Sequence, residues 1–281
     1  MRPRDIILGA ASLALIATAV PAAAQQANQT ADAALKSAIA GPWRGAANTV
    51  RDGARHPAAT LGFFGLKPHM RVVEVAPGGG YWAEILAPYA RATGGSYVAA
   101  MGKAGQTLPE KFNDQATYGK ISYTVFSNES GPMGPAGSAD FVLTSRNIHD
   151  WLWTPGMAGK FMHDAFAVLK PGGVLAVTDH RADPRPQHGD ARDGYVATST
   201  MHDLARAAGF TLEASSEVNA NPRDTKDHPY GVWTLPPVRR SAPQGQPANP
   251  GFDHTKYDAI GESDRMTLRF RKPLAAASRP G

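Results

Sequence analysis

The feature that most constrains the fold is an alternation of short β-branched runs with helical patterns along most of the chain. Strands are predicted over six runs: Arg71 to Ala76, Ser96 to Met101, Ile121 to Phe126, Ala139 to Ser145, Gly173 to Asp179 and Phe210 to Val218. Helices are predicted between them, over Trp82 to Arg91, Leu108 to Asp114, Met157 to Leu169 and Ala197 to Ala208. This order is typical of βαβ units, in which a parallel sheet carries helices on both faces.

Two glycine signals and a last strand complete the expected α/β domain. Pro171-Gly172-Gly173 is expected to end the helix before the fifth strand, and Gly209 the helix before the sixth. Apolar and basic residues alternate from Arg265 to Lys272, which predicts an antiparallel strand with one exposed face. The domain is expected to span residues 69–281, with a loop insertion at about residues 236–261.

The segment before this domain has two parts. Residues 1–24 combine a basic start, an apolar run and a three-alanine ending, which is the order of a cleavable secretory signal peptide. Residues 25–68 predict a helical extension, with one helix over Gln25 to Ala40 and a helical stretch over Trp43 to Leu66 that Pro57 interrupts. We therefore expect the protein in the periplasm or outside the cell, with no membrane attachment after cleavage.

The composition excludes several function classes. The chain of 281 residues has no cysteine, which excludes disulfides, cysteine-ligated zinc, iron–sulfur clusters and a cysteine nucleophile. The net charge of +5 is scattered, and the longest basic clusters are Arg239-Arg240 and Arg269 to Lys272. A small-molecule substrate is therefore expected rather than a nucleic acid, and the pattern leaves the oligomeric state open.

The first predicted strand runs directly into a glycine turn, Glu74-Val-Ala76-Pro-Gly78-Gly79-Gly80-Tyr81. Glycines let a ligand approach the backbone closely, and the helix that follows presents free N–H groups. Ligands of open α/β sheets bind beyond the carboxyl ends of the strands, so this turn is a candidate binding site. A tight strand–helix connection explains the glycines equally well.

The turn resembles the first motif of the class I S-adenosylmethionine-dependent methyltransferases, acid-x-Gly-x-Gly-x-Gly. Glu74, Gly78 and Gly80 match that motif, and Ala76 replaces its first glycine. Other parts of that family are similar to Asp140 to Trp151 (the fourth motif), Val168 to Arg181 (helix, turn and fifth strand) and Arg265 to Lys272 (the antiparallel seventh strand). A family of predicted exported methyltransferases is similar from about Arg51 to Pro273, through His56-Pro57, Phe63 to Leu66, Asn221 to Asp224 and Gly261 to Arg265.

The resemblance implies a Rossmann-like methyltransferase fold, mostly parallel with an antiparallel last strand, and S-adenosyl-L-methionine as cofactor. The residues that it assigns to cofactor binding are Glu74, Gly78, Gly79, Gly80, Tyr81 and Asn147. The family usually ends its second strand with an acid that bonds the ribose hydroxyls, and here that position falls on Met101. Glu129 is the candidate to supply a carboxylate instead, because losing a charge-assisted hydrogen bond costs roughly 1.5–3 kcal/mol.

Candidate catalytic residues follow the fourth and fifth predicted strands. Methyl transfer needs alignment of the reactants and, for a hydroxyl or amine acceptor, a base. His149 and Asp150 follow the fourth strand, and Asp179 and His180 end the fifth. An imidazole beside a carboxylate suits a positioned base, whereas surface or helix-capping roles are the alternative. Arg146 is expected either to contact a ligand or to pair with a surface acid.

Three further patterns have both a functional and a structural interpretation. Tyr81, Trp82, Trp151 and Trp153 are expected on the same loops, where they enclose a ligand or pack beneath the loops. No two histidines have the helical i, i+4 spacing of a zinc protease, so no metal site is predicted. The polar segment Tyr257 to Arg265 is expected either to fold over the acceptor pocket or to hold the last strand through Glu262 and Asp264 to Arg265, and we favour the second role.

The expected function is S-adenosylmethionine-dependent methyl transfer to a small-molecule acceptor. One alternative is an exported ligand-binding or interaction protein that keeps the fold without catalysis. Another is an NADP-dependent oxidoreductase, because Gly78-x-Gly80-x-x-Ala83 fits the dinucleotide pattern and Lys103 would suit a 2′-phosphate. A sheet with an antiparallel strand inserted near its edge favours the methyltransferase class over the oxidoreductase.

If residues 1–24 are removed on export, protein isolated from the cell envelope or medium begins at Gln25. N-terminal sequencing checks this. Ala22→Arg, which replaces a small residue of the cleavage site, is expected to keep the uncleaved N-terminus. Exported protein that still begins at Met1 would contradict the prediction.

Overall fold

A computed structural model describes residues 22–184, 186–187 and 189–275. The predicted signal peptide therefore lies outside the described residues, apart from its last three positions. Among the helices within the described ranges, none has the length and apolar character that crossing a membrane requires.

The strands agree closely with the alternation in the sequence. They are β1 (Arg71–Val75), β2 (Ser96–Met101), β3 (Ser122–Val125), β4 (Ala139–Ser145), β5 (Leu169–His180), β6 (Thr211–Ser216) and β7 (Arg265–Arg271). The helices are α1 (Ala22–Ile39), α2 (Ala46–Thr49), α3 (Asp52–Arg55), α4 (Pro57–Phe64), α5 (Ala83–Ala92), α6 (Gln115–Tyr118), α7 (Ile148–Trp151), α8 (Met157–Val168), α9 (Thr198–Ala207) and α10 (Thr255–Ile260). Two 3₁₀ turns lie at Glu110–Asn113 and Gly231–Thr234.

The strands form one seven-stranded sheet in the order β3-β2-β1-β4-β5-β7-β6. The first five strands pair in parallel, and β7 lies between β5 and β6, antiparallel to both. One apolar core lies on each face of the sheet. This arrangement confirms the Rossmann-like methyltransferase fold, including the antiparallel last strand.

The prediction that one face of β7 is exposed is wrong, because the N-terminal helices cover that face. The Arg265 guanidinium donates to the Ala54 carbonyl at 2.8 Å, and the Arg269 guanidinium donates to the Phe63 carbonyl. Both basic side chains therefore hold the helical extension against the sheet instead of facing water.

Four local predictions also differ from the structure. Helix α8 ends before Pro171, and β5 runs through Pro171-Gly172-Gly173, where the register with β4 shifts and Gly172 and Gly173 bond to Lys272 instead. The helix predicted over Leu108 to Asp114 is a 3₁₀ turn followed by α6, which Asp114 caps. The stretch from Trp43 divides into α2, α3 and α4, and His56, with a left-handed φ of 42°, separates the last two directly before Pro57. The insertion at residues 236–261 contains α10.

The helical extension docks on the helix that follows the glycine turn. Trp43 Nε1 donates to the Glu84 carbonyl at 2.9 Å. Arg44 forms a bidentate ion pair with Asp52, with N–O distances of 2.6 and 2.8 Å. Tyr81 Oη donates to the same carboxylate at 2.7 Å. The extension therefore fixes the position of α5, at whose N-terminus the glycine turn lies.

Candidate active site

The glycine turn lies at the carboxyl end of β1, with two of its glycines open to solvent. A Cβ atom on Gly78 or Gly79 would have no heavy atom within 4 Å. A Cβ on Gly80 would lie 2.6 Å from the Phe112 ring, so Gly80 is required for packing. Gly78 and Gly79 are therefore the positions of the turn that a ligand can approach.

Asn147, after β4, holds this turn from beneath. Its amide donates to the carbonyls of Val75 and Ala76, at 3.2 and 3.3 Å, and to Thr144 Oγ1 at 2.9 Å. Ala76, which replaces the first glycine of the motif, adopts a φ of 53°. A residue with a Cβ pays about 1–3 kcal/mol for such a conformation, so the bond from Asn147 helps to keep the turn in place.

The Glu74 carboxyl group is buried in the sheet. Tyr97 Oη donates to it at 2.6 Å. Burial raises the pKa of Glu74 to about 7, and the Tyr97 hydrogen bond opposes this rise. The described contacts of Glu74 therefore join β1 to β2, and its contact with a cofactor stays a prediction.

The end of β2 carries no carboxylate. Met101 is buried there, as the sequence places it. Glu129 is exposed on the turn after β3, and no hydrogen bond or ion pair joins it to another described residue. Glu129 as a substitute for the missing acid therefore stays a prediction.

The loop aromatics do not form a single cluster. Tyr81 packs edge-to-face on Trp82, and the Arg55 guanidinium lies 4.4 Å from the centre of its ring. Trp151 packs in the core against Phe126 and Phe161. Trp153 alone of the four contacts an aromatic residue of the cavity described below, Trp233, with the ring centres 5.6 Å apart.

The ends of β4 and β5 bring His149 and Asp179 together. His149 Nδ1 lies 2.8 Å from Asp179 Oδ1, and both side chains are buried. The backbone N–H groups of Ile148 and His180 also donate to this carboxylate, at 2.7 and 2.8 Å. Because an ionised carboxylate only accepts, the proton of neutral His149 lies on Nδ1 and its Nε2 is free to act as a base.

His149 and Asp150 are adjacent in the sequence, but the carboxylate closer to the His149 ring is that of Asp179. Asp150 Oδ1 lies 3.5 Å from His149 Nε2, and the Asp150 side chain is about half exposed. Burial lowers the pKa of His149, but the charge and hydrogen bond of Asp179 outweigh it, so that the pKa lies above its ordinary value of 6.5. This is the arrangement of a base whose protonated form is stabilised.

His180 has the opposite electrostatic environment. Its Nδ1 lies 2.5 Å from Ser263 Oγ, and its ring centre is 4.9 Å from that of His149. Burial, followed by the charges of His149 and Arg146, holds the pKa of His180 well below its ordinary range. His180 is therefore a neutral hydrogen-bonding group beside the base.

These residues line one cavity of about 130 Å³. Its polar wall consists of Arg146, His149, Asp150, His180, Glu262 and Ser263, and its apolar wall of Val232, Trp233, Leu235, Pro236, Pro237 and Val238. The apolar wall comes from the insertion and the 3₁₀ turn before it. Glu262 and Ser263 belong to the polar run before β7, for which a place over the acceptor pocket was the less favoured of two roles. Trp233 was not a candidate, and the sequence carries no local signal for it.

That structural role of the run is also present. Glu262 pairs with Arg265 at 3.0 Å, as the sequence predicted. Asp264 pairs instead with Arg181 at 2.9 Å, because its side chain points away from Arg265.

Three side chains at this edge have the composition of a metal site. The possible ligand atoms of His149, Asp179 and His180 lie within 4.8 Å of one another. The charges of Arg146, Arg265 and Arg55 all lower the pKa of His180, after burial and His149. Positive charge that opposes a proton there also opposes a metal cation.

Comparisons with known proteins are informative at the level of the fold. No family model and no curated protein matches the sequence. An S-adenosylmethionine-dependent methyltransferase from Aquifex aeolicus is similar with a TM-score of 0.51 and 18% identity, over 79% of this chain and 92% of that chain. The [4+2]-cyclase SpnF is similar with a TM-score of 0.55 and 17% identity, over 89% of this chain and 96% of that one.

The chain has the class I methyltransferase fold. Identities this low show the fold alone, and one of the two similar structures is described as a cyclase. The reaction therefore has to be argued from the site.

Asp179→Asn is expected to lower the pKa of His149 below 6.5, because burial then acts without the carboxylate. In the wild type the folded pKa lies above the unfolded one, so the stability that His149 contributes is present below pH 6.5 and is lost as the pH rises through the folded pKa. The stability cost of Asp179→Asn should therefore be larger below pH 6.5 than well above it.

Histidine ring NMR titrations and urea unfolding measure the two effects. Asp150→Asn is the control. We expect it to change the pKa of His149 less than Asp179→Asn does, because the Asp150 carboxylate is half exposed and farther from the ring. Equal titration midpoints in wild type and Asp179→Asn would show that the dyad does not control His149.

Proposed function

We propose that this protein is an exported enzyme that transfers a methyl group from S-adenosylmethionine to a small-molecule acceptor. The observation that carries the proposal is the placement of an open glycine turn and a His–Asp dyad at the carboxyl ends of adjacent strands in a class I methyltransferase fold. The turn follows β1, His149 follows β4, and Asp179 lies near the end of β5.

The glycine turn fits the amino-acid end of the cofactor. Gly78 and Gly79 are exposed, and within the described part of the chain their N–H groups donate to no acceptor. A ligand carboxylate can therefore approach these donors without displacing a protein group. When bound, the cofactor supplies an electrophilic methyl group on a sulfonium.

This chain offers fewer polar contacts to the adenosine end of the cofactor than to its amino-acid end. Met101 offers an apolar surface where the family has an acid, so a charge-assisted bond of roughly 1.5–3 kcal/mol is missing. We expect cofactor affinity about tenfold or more below that of a site with the acid.

His149 is the proposed base. Its Nε2 can take a proton from a hydroxyl or amine in the cavity, and Asp179 stabilises the imidazolium that forms. A positioned base of this kind contributes about 10²–10⁴-fold to a rate. Asp150 and His180 are proposed as polar groups that orient the acceptor beside Nε2.

Two alternatives remain distinguishable by experiment. A binding protein without catalysis is favoured by Met101, which replaces the acid that would bond the cofactor ribose. An NADP-dependent oxidoreductase is disfavoured by the insertion of antiparallel β7 between β5 and β6.

Calorimetric titration with S-adenosylhomocysteine and with NADPH tests the proposal. We expect heat with the first ligand alone, and Gly79→Leu should weaken that binding by about tenfold or more, because the side chain fills the open face of the turn. Gly79 is preferred to Gly78 because Gly78 has a φ of 57°, where any side chain adds backbone strain.

Gly131→Leu is the matched control, since Gly131 is exposed and equally open but lies in the loop after β3. Both variants should keep the wild-type melting temperature. If neither ligand gives heat, both enzyme hypotheses are rejected. If Gly79→Leu binds S-adenosylhomocysteine as tightly as the wild type, the cofactor site lies elsewhere.

A further inference from the structure

Arg146 is a cation of the cavity that has no ionic partner. It directly follows β4 with a φ of 60°, and its backbone N–H donates to the Thr178 carbonyl at 2.8 Å, which fixes the start of its side chain. Its Nε is buried without a hydrogen-bond partner, and no carboxylate of the described residues forms an ion pair with its guanidinium. Arg146 lines the cavity, so its guanidinium is a cation there that an anionic ligand can pair with.

The nearest acidic side chain on the same wall is already neutralised. Glu262 pairs with Arg51 at 2.8 Å, Arg55 at 3.1 Å and Arg265 at 3.0 Å. Burial raises the pKa of Glu262, but these cations outweigh it and lower the pKa to about 2. Glu262 is therefore ionised, and its charge is balanced by the three arginines. Three guanidinium groups thus share this carboxylate, and Arg146 is not among them.

Two other carboxylates face the cavity or its lining. Asp179 lies behind His149, where the ring and two backbone N–H groups occupy its oxygens. Asp150 is about half exposed, so water screens much of its charge. Arg146 lines the cavity together with His149, Asp150 and His180, and its charge lowers the pKa of all three. The inner end of the cavity therefore favours an anion.

The size and the opposite wall of the cavity restrict what carries that anion. The volume of about 130 Å³ is close to the roughly 150 Å³ that is known to hold benzene in another protein. Trp233 and prolines 236 and 237 provide flat apolar surfaces. A single planar ring fits this space.

We infer that the methyl acceptor is a single-ring carboxylic acid that also bears a hydroxyl or amine. Its carboxylate binds Arg146, its ring packs on Trp233, and its hydroxyl or amine lies at His149 Nε2. The reaction in this inference rests on the proposed methyl transfer. The binding of a carboxylic acid rests on Arg146 and does not depend on methyl transfer.

The reaction of such an acceptor balances with the residues present. For a hydroxyl, the oxygen forms a bond to the methyl carbon while the sulfur–methyl bond of S-adenosylmethionine breaks and leaves its electron pair on sulfur. The hydroxyl proton passes to His149 Nε2. The products are the methyl ether, S-adenosylhomocysteine and a proton that His149 later releases to water.

The test compares two probes that share the phenol ring and differ in its para group, an anionic carboxylate in 4-hydroxybenzoate and a neutral hydroxymethyl group in 4-hydroxybenzyl alcohol, by calorimetry on the purified protein. We expect the acid to bind at least about tenfold more tightly, and Arg146→Gln to remove that preference, because a charge-assisted pair is lost. Binding of the alcohol and of S-adenosylhomocysteine should be unchanged in Arg146→Gln. Arg206→Gln, an exposed position on α9, controls for net charge and should behave as wild type.

Each other outcome overturns a defined part of the inference. If Arg146→Gln weakens S-adenosylhomocysteine instead, Arg146 binds the cofactor carboxylate. If the acid does not bind, or binds no better than the alcohol, the acceptor is not a single-ring acid. Acid binding that depends on Arg146 without any binding of S-adenosylhomocysteine would retain the acid site and reject methyl transfer. Arg146→Lys, which keeps the charge, should retain part of the preference and separates lost binding from a folding defect.

Discussion

The pairing of His149 with Asp179 is the interaction on which the proposed site depends. Asp179 is buried at the end of β5, where an unpaired charge would destabilise the fold by several kcal/mol. Its acceptors are occupied by the His149 ring and by the N–H groups of Ile148 and His180, so the exit of β4 is tied to the end of β5. The same contacts that satisfy the carboxylate orient the imidazole, and stability and chemistry are therefore coupled at this point.

The strands were predictable because their signals are local. Ser96 to Met101 and Ala139 to Ser145 have the predicted bounds, since β-branched runs between turn residues specify a buried strand without reference to the rest of the chain. The start of β5 was not predictable. Pro171-Gly172-Gly173 has the local chemistry of a helix stop, but backbone hydrogen bonds with Lys272, directly after β7, extend the strand through it.

The site was predictable in its location but not in its pairing. The ends of β1, β4 and β5 follow from the βαβ order, which is why the glycine turn, His149 and His180 were candidates. That Asp179 rather than the adjacent Asp150 holds His149 depends on the register between β4 and β5. The arginines around Glu262 come from the N-terminal extension and from β7, and no local pattern brings them together.

The central claim is that the glycine turn and the His–Asp dyad belong to one site. A crystal structure of the protein with S-adenosylhomocysteine tests it most directly. We predict the amino-acid end of the ligand against Gly78 and Gly79, with its sulfur on the side of the cavity that His149 lines. A ligand bound away from the glycine turn, or with its sulfur directed away from that cavity, would contradict the account.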